Sequence, residues 1–259
     1  MRLGKKTKLG PLAILSVLRE VRRGAGDERP LGVAGARELV PVLARELRTG
    51  GDAAAVAEDA VEGVAALVWI GAPDEVRLRA ADRADIPIVA VTDADLVPYV
   101  LATDVVRVAR GQGFPVDEIA AALARKLGEE GTALAARLPV LRPAVCDHLI
   151  ASFSKRNAVV SAAVFVPGVD MPVLTLNQVR LVLRIALAYG RDLDSQRAAE
   201  LLGVVGAGFG LRAAARELLD LVPVAGWALK GAIAYAGTRA IGEAAVRYFE
   251  AQSSVRPRS

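Results

Sequence analysis

Ala65-Ala-Leu-Val-Trp-Ile70, a helical stretch from Asp74 to Ala84, and Ile86-Pro-Ile-Val-Ala-Val-Thr92 decide the fold of this chain. The two apolar runs show no polar alternation, the pattern of strands buried on both faces. Strand, helix, strand in that order predicts parallel pairing, with helices on both sides of the sheet. Outward from this unit, Leu31-Gly-Val-Ala-Gly35 is an earlier short strand. A helix from Ala36 to Arg48 follows, with Leu39, Leu43 and Leu47 at a spacing of four. Pro41 is tolerated there only near the helix start, and Thr49-Gly-Gly-Asp52 ends it. Asp104-Val-Val-Arg-Val-Ala109 is a fourth strand, and Pro115 opens a helix that reaches Leu127. Residues 30–131 therefore read as a three-layer α/β domain with a parallel sheet.

The rest of the chain reads as helix. Residues 132–150 are a connecting helix interrupted by Pro139 and Pro143. Residues 151–250 form an all-α apolar domain, with helices at Leu174–Tyr189, at Glu200–Leu219 and from Pro223 to Phe249. Residues 251–259 read as a disordered tail. Hydrophobic residues make up 53% of the chain and aromatics only 4%, so side chains are small and helices can approach closely. Gly237, with Gly231 and Gly242, is expected to admit another helix, the one beginning at Leu201, with Thr238 bonding across the contact. Ala158–Leu176 and Leu221–Gly237 come near the length of about 20 apolar residues that a membrane span needs. Pro167, Asp170 and Pro172 interrupt the first and Lys230 the second. The expectation is attachment to a membrane, by a transmembrane helix or hairpin or by a surface-bound helix. The alternative is a soluble bundle with an alanine-glycine core.

Residues 1–29 hold a basic amphipathic helix and a linker. Lys5, Lys6, Lys8, Arg19, Arg22 and Arg23 flank an apolar face of Leu12, Leu15, Leu18 and Val21. Such a helix suits an anionic lipid surface, or packs on the protein itself. The net charge is only +4, and basic residues elsewhere are scattered without stacking aromatics, which argues against a nucleic-acid partner. Cys146 is the only cysteine, so no internal disulfide forms. It stands two residues from His148, the only histidine, and residues two apart on a helix do not face each other. One His and one Cys do not make a zinc site. Asp192 and Asp194 read as a solvated loop pair.

The turn after the first strand is where a phosphate loop would stand. Such a loop needs glycine amides, a Lys and a Ser or Thr; this chain reads Gly35-Ala-Arg-Glu-Leu-Val-Pro41, with Glu38 where phosphate would be. Gly32 and Gly35 are either remnants of a nucleotide site or tight backbone approaches. After the third strand comes Thr92-Asp-Ala-Asp95, where a GTPase has Asn-Lys-x-Asp. Asp95 fits the last place and the Asn and Lys are missing; Asp93 or Asp95 also suits a helix cap. Arg110-Gly-Gln-Gly-Phe-Pro115 stands where a GTPase has its Ser-Ala-Lys loop. In order and location these elements resemble a degenerate P-loop GTPase-like domain across residues 30–130.

Further on, Asn157-Ala-Val-Val-Ser, Pro167-Gly-Val-Asp170, Gln178 and Ile185-Ala-Leu-Ala-Tyr-Gly190 follow in order. Pro223-Val-Ala-Gly226, Ala234-Tyr-Ala-Gly-Thr-Arg-Ala-Ile-Gly242 and Tyr248-Phe-Glu250 complete the pattern. Residues 150–250 resemble the YcjF-like bacterial family of unknown function. The resemblance implies a membrane location and a GTPase-like companion domain, and supplies no catalytic residues. No credible nucleophile, base, metal cluster or cofactor loop is present. The expected protein is a non-catalytic scaffold with a pseudo-GTPase domain, without cofactor, on the cytoplasmic side of a membrane. It would meet lipid through the basic helix and the helical half, and a protein partner or another copy through the Gly/Ala-rich helices. The alternatives are a weak guanine-nucleotide switch and a soluble helical adaptor.

Overall fold

Five strands, not four, make the sheet: β1 Leu31–Gly35, β2 Val56–Glu58, β3 Ala66–Ile70, β4 Ile88–Thr92 and β5 Val105–Arg107. The computed structural model describes residues 11–108, 111, 113–163, 171–193 and 226–255. The strand order is β2-β1-β3-β4-β5 and every pair is parallel. Leu31 pairs with both Val56 and Ala66, and Val68 pairs with Val89, so the apolar runs align at the centre of the sheet. The expected α/β class, with a parallel sheet and flanking helices, is what the structure contains.

Successive strand residues point to opposite faces. Ala34, Leu67, Trp69, Ile88 and Ala90 form one core with Leu78 and Ala81 of α3 (Glu75–Arg83). The other face carries Val33, Val68, Ile70, Val89 and Val91, all buried. On it α2 (Val40–Leu47) contacts β1 and α4 (Val116–Leu127) contacts β4. Asp74 caps α3 by accepting from the amides of Val76 and Arg77.

Two connections carry no α-helix. From β2 the chain returns across β1 to β3 within residues 59–65. The amide of Asp59 donates to the Val33 carbonyl at 2.8 Å, which holds this crossing down on β1. Between β4 and β5 only a short 3-10 turn at Ala102–Asp104 interrupts the loop.

Contacts divide the chain into two units. One comprises residues 24–148 with 188–190, and the other the N-terminal stretch to Arg23 with 149–187 and 191 onward. The connecting segment breaks into α5 (Gly131–Arg137), a 3-10 turn at Pro139–Leu141, and the start of the long α6 (Arg142–Ala163). Pro143 is the second residue of α6, where its missing N–H costs no helical hydrogen bond. Arg137 closes the α/β unit on itself: its guanidinium pairs with Asp52 at 3.0 Å and donates to the Glu28 carbonyl at 2.7 Å.

The helical unit contains α1 (Pro11–Ala25), α7 (Met171–Ala188) and α8 (Gly226–Val255), with most of α6. In α1 the buried residues are Val17, Leu18 and Val21, whereas Leu15 is 36% exposed. Of the expected face Leu12, Leu15, Leu18, Val21, the last two are buried together with Val17, Leu15 lies at the margin, and the Leu12 side chain lies outside the described residues. Glu20 of α1 pairs with Arg180 of α7 at 2.8 Å. The interior is unusually polar. Asn157 of α6 donates to Thr238 Oγ1 of α8 at 2.9 Å, and Asn177 of α7 donates to Asn157 Oδ1 at 2.8 Å.

Two expectations are corrected here, and one falls partly outside the described residues. Among the described residues no helix is long and apolar enough to cross a membrane, so the transmembrane helix is not found there. The cause is charge at short intervals: Lys155 and Arg156 on α6, Arg180 and Arg184 on α7, Lys230, Arg239, Glu243 and Arg247 on α8. Ala158–Leu176 and Leu221–Gly237 lie partly, and Glu200–Leu219 wholly, outside the described residues. Secondly, among the described residues the close contacts fall at Gly231 and Gly242, and the contact expected between Gly237 and the stretch from Leu201 lies outside them. A Cβ at Gly242 would stand 2.5 Å from Ile150, one at Gly231 would stand 3.2 Å from the Ala158 carbonyl, and one at Gly237 meets no described atom within 4 Å. The neighbours are on α6 and α7; the stretch from Leu201 lies outside the described residues. Thirdly, the tail read as disordered from residue 251 is helical through Val255.

Candidate functional site

Open parallel sheets bind ligands outside the carboxyl ends of their strands, and in the order found here the switch point lies between β1 and β3. Beside that point a crevice of about 430 Å³ opens between α2 and the segment after β5. Ile70 and Val91, the last apolar residues of β3 and β4, line its floor. Leu39, Val42 and Phe114 line the walls. Leu39, Val42 and Glu46 stand three and four residues apart, which places them on one face of the helical turn. Glu46 and Asp93 are the charged side chains of the described lining. At the end of β4 the buried Thr92 hydroxyl accepts from the Ala94 amide at 3.1 Å, which turns the chain away from the sheet.

The four expected site residues do not converge here. Gly35 has φ +121°, and a Cβ on it would stand 2.1 Å from the Ile70 carbonyl oxygen. The next amide, Ala36, donates to that same oxygen at 2.8 Å. The turn after β1 is thus clamped onto β3. Gly32 serves the other face: a Cβ there would lie 2.6 Å from the Ala60 carbonyl in the crossing segment. Neither glycine lines the crevice. Asp93 does line it, while Asp95 carries an exposed carboxylate paired with Arg107 at 3.2 Å. No helix begins at Asp93 or Asp95, where the chain runs as bends and loop to Ala102, so neither aspartate caps one. Of the Arg110–Pro115 segment, Gly111, Gly113 and Phe114 line the crevice; Arg110 lies outside the described residues.

A second cleft, of about 510 Å³, lies between α4 and the start of α6, with Asp117, Arg125, Asp147 and His148 on its walls. Cys146 is buried and takes no part in this lining. Among the described residues no group of His, Cys, Asp and Glu is arranged to hold a metal ion. Glu46 and Leu39 escape sequence reasoning because Leu39 shares the four-residue spacing of the core leucines. Leu43 and Leu47 are buried; Leu39 is 43% exposed.

Comparison of the chain with family models, with curated proteins and with solved structures finds no match.

Proposed function

We propose that this chain is a non-catalytic interaction protein that works at an anionic membrane surface. Its α/β unit is a pseudo-GTPase: the frame of a nucleotide-binding domain whose phosphate apparatus is missing. Its helical unit is of the YcjF-like kind suggested by the order of motifs in residues 150–250. The observation that carries this reading is the clamped turn after β1. A phosphate loop must present free backbone amides around an anion. Here the Ala36 amide is spent on the Ile70 carbonyl, and the crevice beside it is walled by Glu46 and Asp93. A carboxylate such as Glu46 in the wall of a site disfavours an anion there. Exposed Arg19, Arg22 and Arg23 on α1 support the lipid-facing part. The burial of Val17, Leu18 and Val21 favours a second reading, a helical adaptor with no lipid contact.

The test is calorimetry of the full chain with Mg-GTP and Mg-ATP. The expected affinity is no better than about millimolar, roughly −4 kcal/mol, with no turnover. Micromolar binding would defeat the pseudo-GTPase reading.

A further inference from the structure

We propose that the outer edge of β5 receives a second copy of this chain, antiparallel across a twofold axis, so that the two parallel sheets join into one. β5 stands last in the strand order and pairs only with β4 among the described residues. Such an edge presents backbone N–H and C=O groups that template another strand. The sheet ends on its other side in β2, where Arg48 donates to the Val56 carbonyl at 2.8 Å and pairs with Glu58 at 2.6 Å. A side chain thus already takes up a carbonyl of β2. Around β5 the side chains bond elsewhere: Arg125 donates to the Thr103 carbonyl, ahead of the strand, and Arg107 pairs with Asp95. This contact needs neither lipid nor nucleotide, and it lies on the α/β unit rather than on the Gly/Ala-rich helices.

A second copy, rather than another protein, is the occupant because the flanks of this edge complement themselves. Antiparallel pairing about Val106 puts the α4 helices of both copies on one face of the joined sheet, pointing in opposite directions. α4 carries Asp117 and Glu118 in its first turn and Arg125 and Lys126 in its last. Glu118 and Arg125 are exposed and seven residues apart, about two turns, so they share a face. The twofold therefore sets the acidic end of each α4 toward the basic end of the other, and the match occurs twice. On the opposite face the β4–β5 connection contains no α-helix. Its Val97 and Val100 turn inward onto the core, while Leu96 and Leu101 are 86% and 66% exposed. The same axis puts the two connections on one face beside the joined strands, where each offers apolar surface to the other.

Sedimentation velocity of the full chain over a concentration series is the test, with amide hydrogen exchange followed at the same concentrations. A reversible dimer is expected, with exchange slowed at Val105, Val106 or Arg107 as it forms. Glu118→Arg should weaken the dimer by at least about tenfold, and Arg125→Glu likewise, whereas E118R/R125E together should restore most of it. The unfolding midpoint should not move in E118R, because that side chain is exposed. A monomer at every concentration reached would overturn the proposal. So would a dimer unmoved by either charge reversal, or one that slows exchange only in the helical unit. Should R125E not fold, having lost its bond to Thr103, E118R and the exchange pattern decide. Micromolar Mg-GTP binding would sink the pseudo-GTPase reading and leave this one standing; a monomer sinks only this one.

Discussion

Gly35 and Gly237 look alike in the sequence, each a glycine in an apolar run, and they differ entirely in what surrounds them. Gly35 combines φ +121° with a carbonyl oxygen where a side chain would begin. The obstacle is backbone of the central strand β3, which cannot swing aside. Gly35→Ala should therefore destabilise the chain by at least about 1–3 kcal/mol, the range for a strained backbone conformation, before the clash is counted. Gly237 sits on a helix, and no described atom lies within 4 Å of where its Cβ would be. Gly237→Ala should stabilise by up to about 1 kcal/mol through helix propensity alone, and Gly237→Leu should be tolerated. Gly242→Ala, facing buried Ile150, should cost about 1–3 kcal/mol by overpacking. Denaturant unfolding of the four variants orders them; a destabilised Gly237→Ala would show that something covers that face. The remnant reading of Gly32 and Gly35 thus gives way to two backbone approaches, one under a crossing segment and one against β3.

At the scale of elements, α6, α7 and α8 are joined through polar groups inside an apolar unit. Asn157 accepts from Asn177 and donates to Thr238, and Gln178 also reaches Thr238 at 3.3 Å. All three of Asn157, Asn177 and Thr238 are buried. Asn157→Ala leaves the buried Asn177 amide without this acceptor, worth about 1–3 kcal/mol when unsatisfied, takes one of two donors from Thr238, and opens a small cavity. The expected loss is about 2–5 kcal/mol, and Thr238→Val in the Asn157→Ala background should cost much less than alone. Additive losses in that double-mutant cycle would mean that the bond does not tie α6 to α8. Elements of this kind were unevenly legible in the sequence. β3 and β4 declare themselves as solid apolar runs, because both faces are covered. β2 does not, since Val56-Ala-Glu58 is three residues long and only Val56 is buried. The helix expected from Ala36 begins at Val40, because the turn before it is tightened to bring Ala36 against Ile70. The crevice was illegible for a related reason: its lining comes from α2, two strand ends and a later loop, which only the folded sheet brings together.

For the molecule as a whole, the proposed contact with an anionic membrane has an expected mode set by the distribution of α1 residues. Its side chains Val17, Leu18 and Val21 are buried, and Glu20 is tied to Arg180. Among its described residues α1 exposes Arg19, Arg22 and Arg23 beside Ser16 and Glu20, with Leu15 at the margin. An amphipathic helix that inserts uses its apolar face; one whose apolar face is occupied holds lipid by charge. Attraction of that kind is worth about 1 kcal/mol per basic residue near an anionic surface and fades as salt shortens the Debye length. Neutralising three arginines should therefore remove about 3 kcal/mol, roughly a hundredfold in partitioning. Vesicle sedimentation of the full chain and of an R19Q/R22Q/R23Q variant measures this directly. The unaltered chain should pellet with phosphatidylserine-rich vesicles at low salt, be released as salt rises, and ignore neutral phosphatidylcholine vesicles. The variant should lose most of that binding while keeping its unfolding midpoint, because none of the three side chains is buried. Equal pelleting with neutral and anionic vesicles, or salt-resistant pelleting of the variant, would show that the arginines are not the contact and that apolar surface outside α1 carries the attachment.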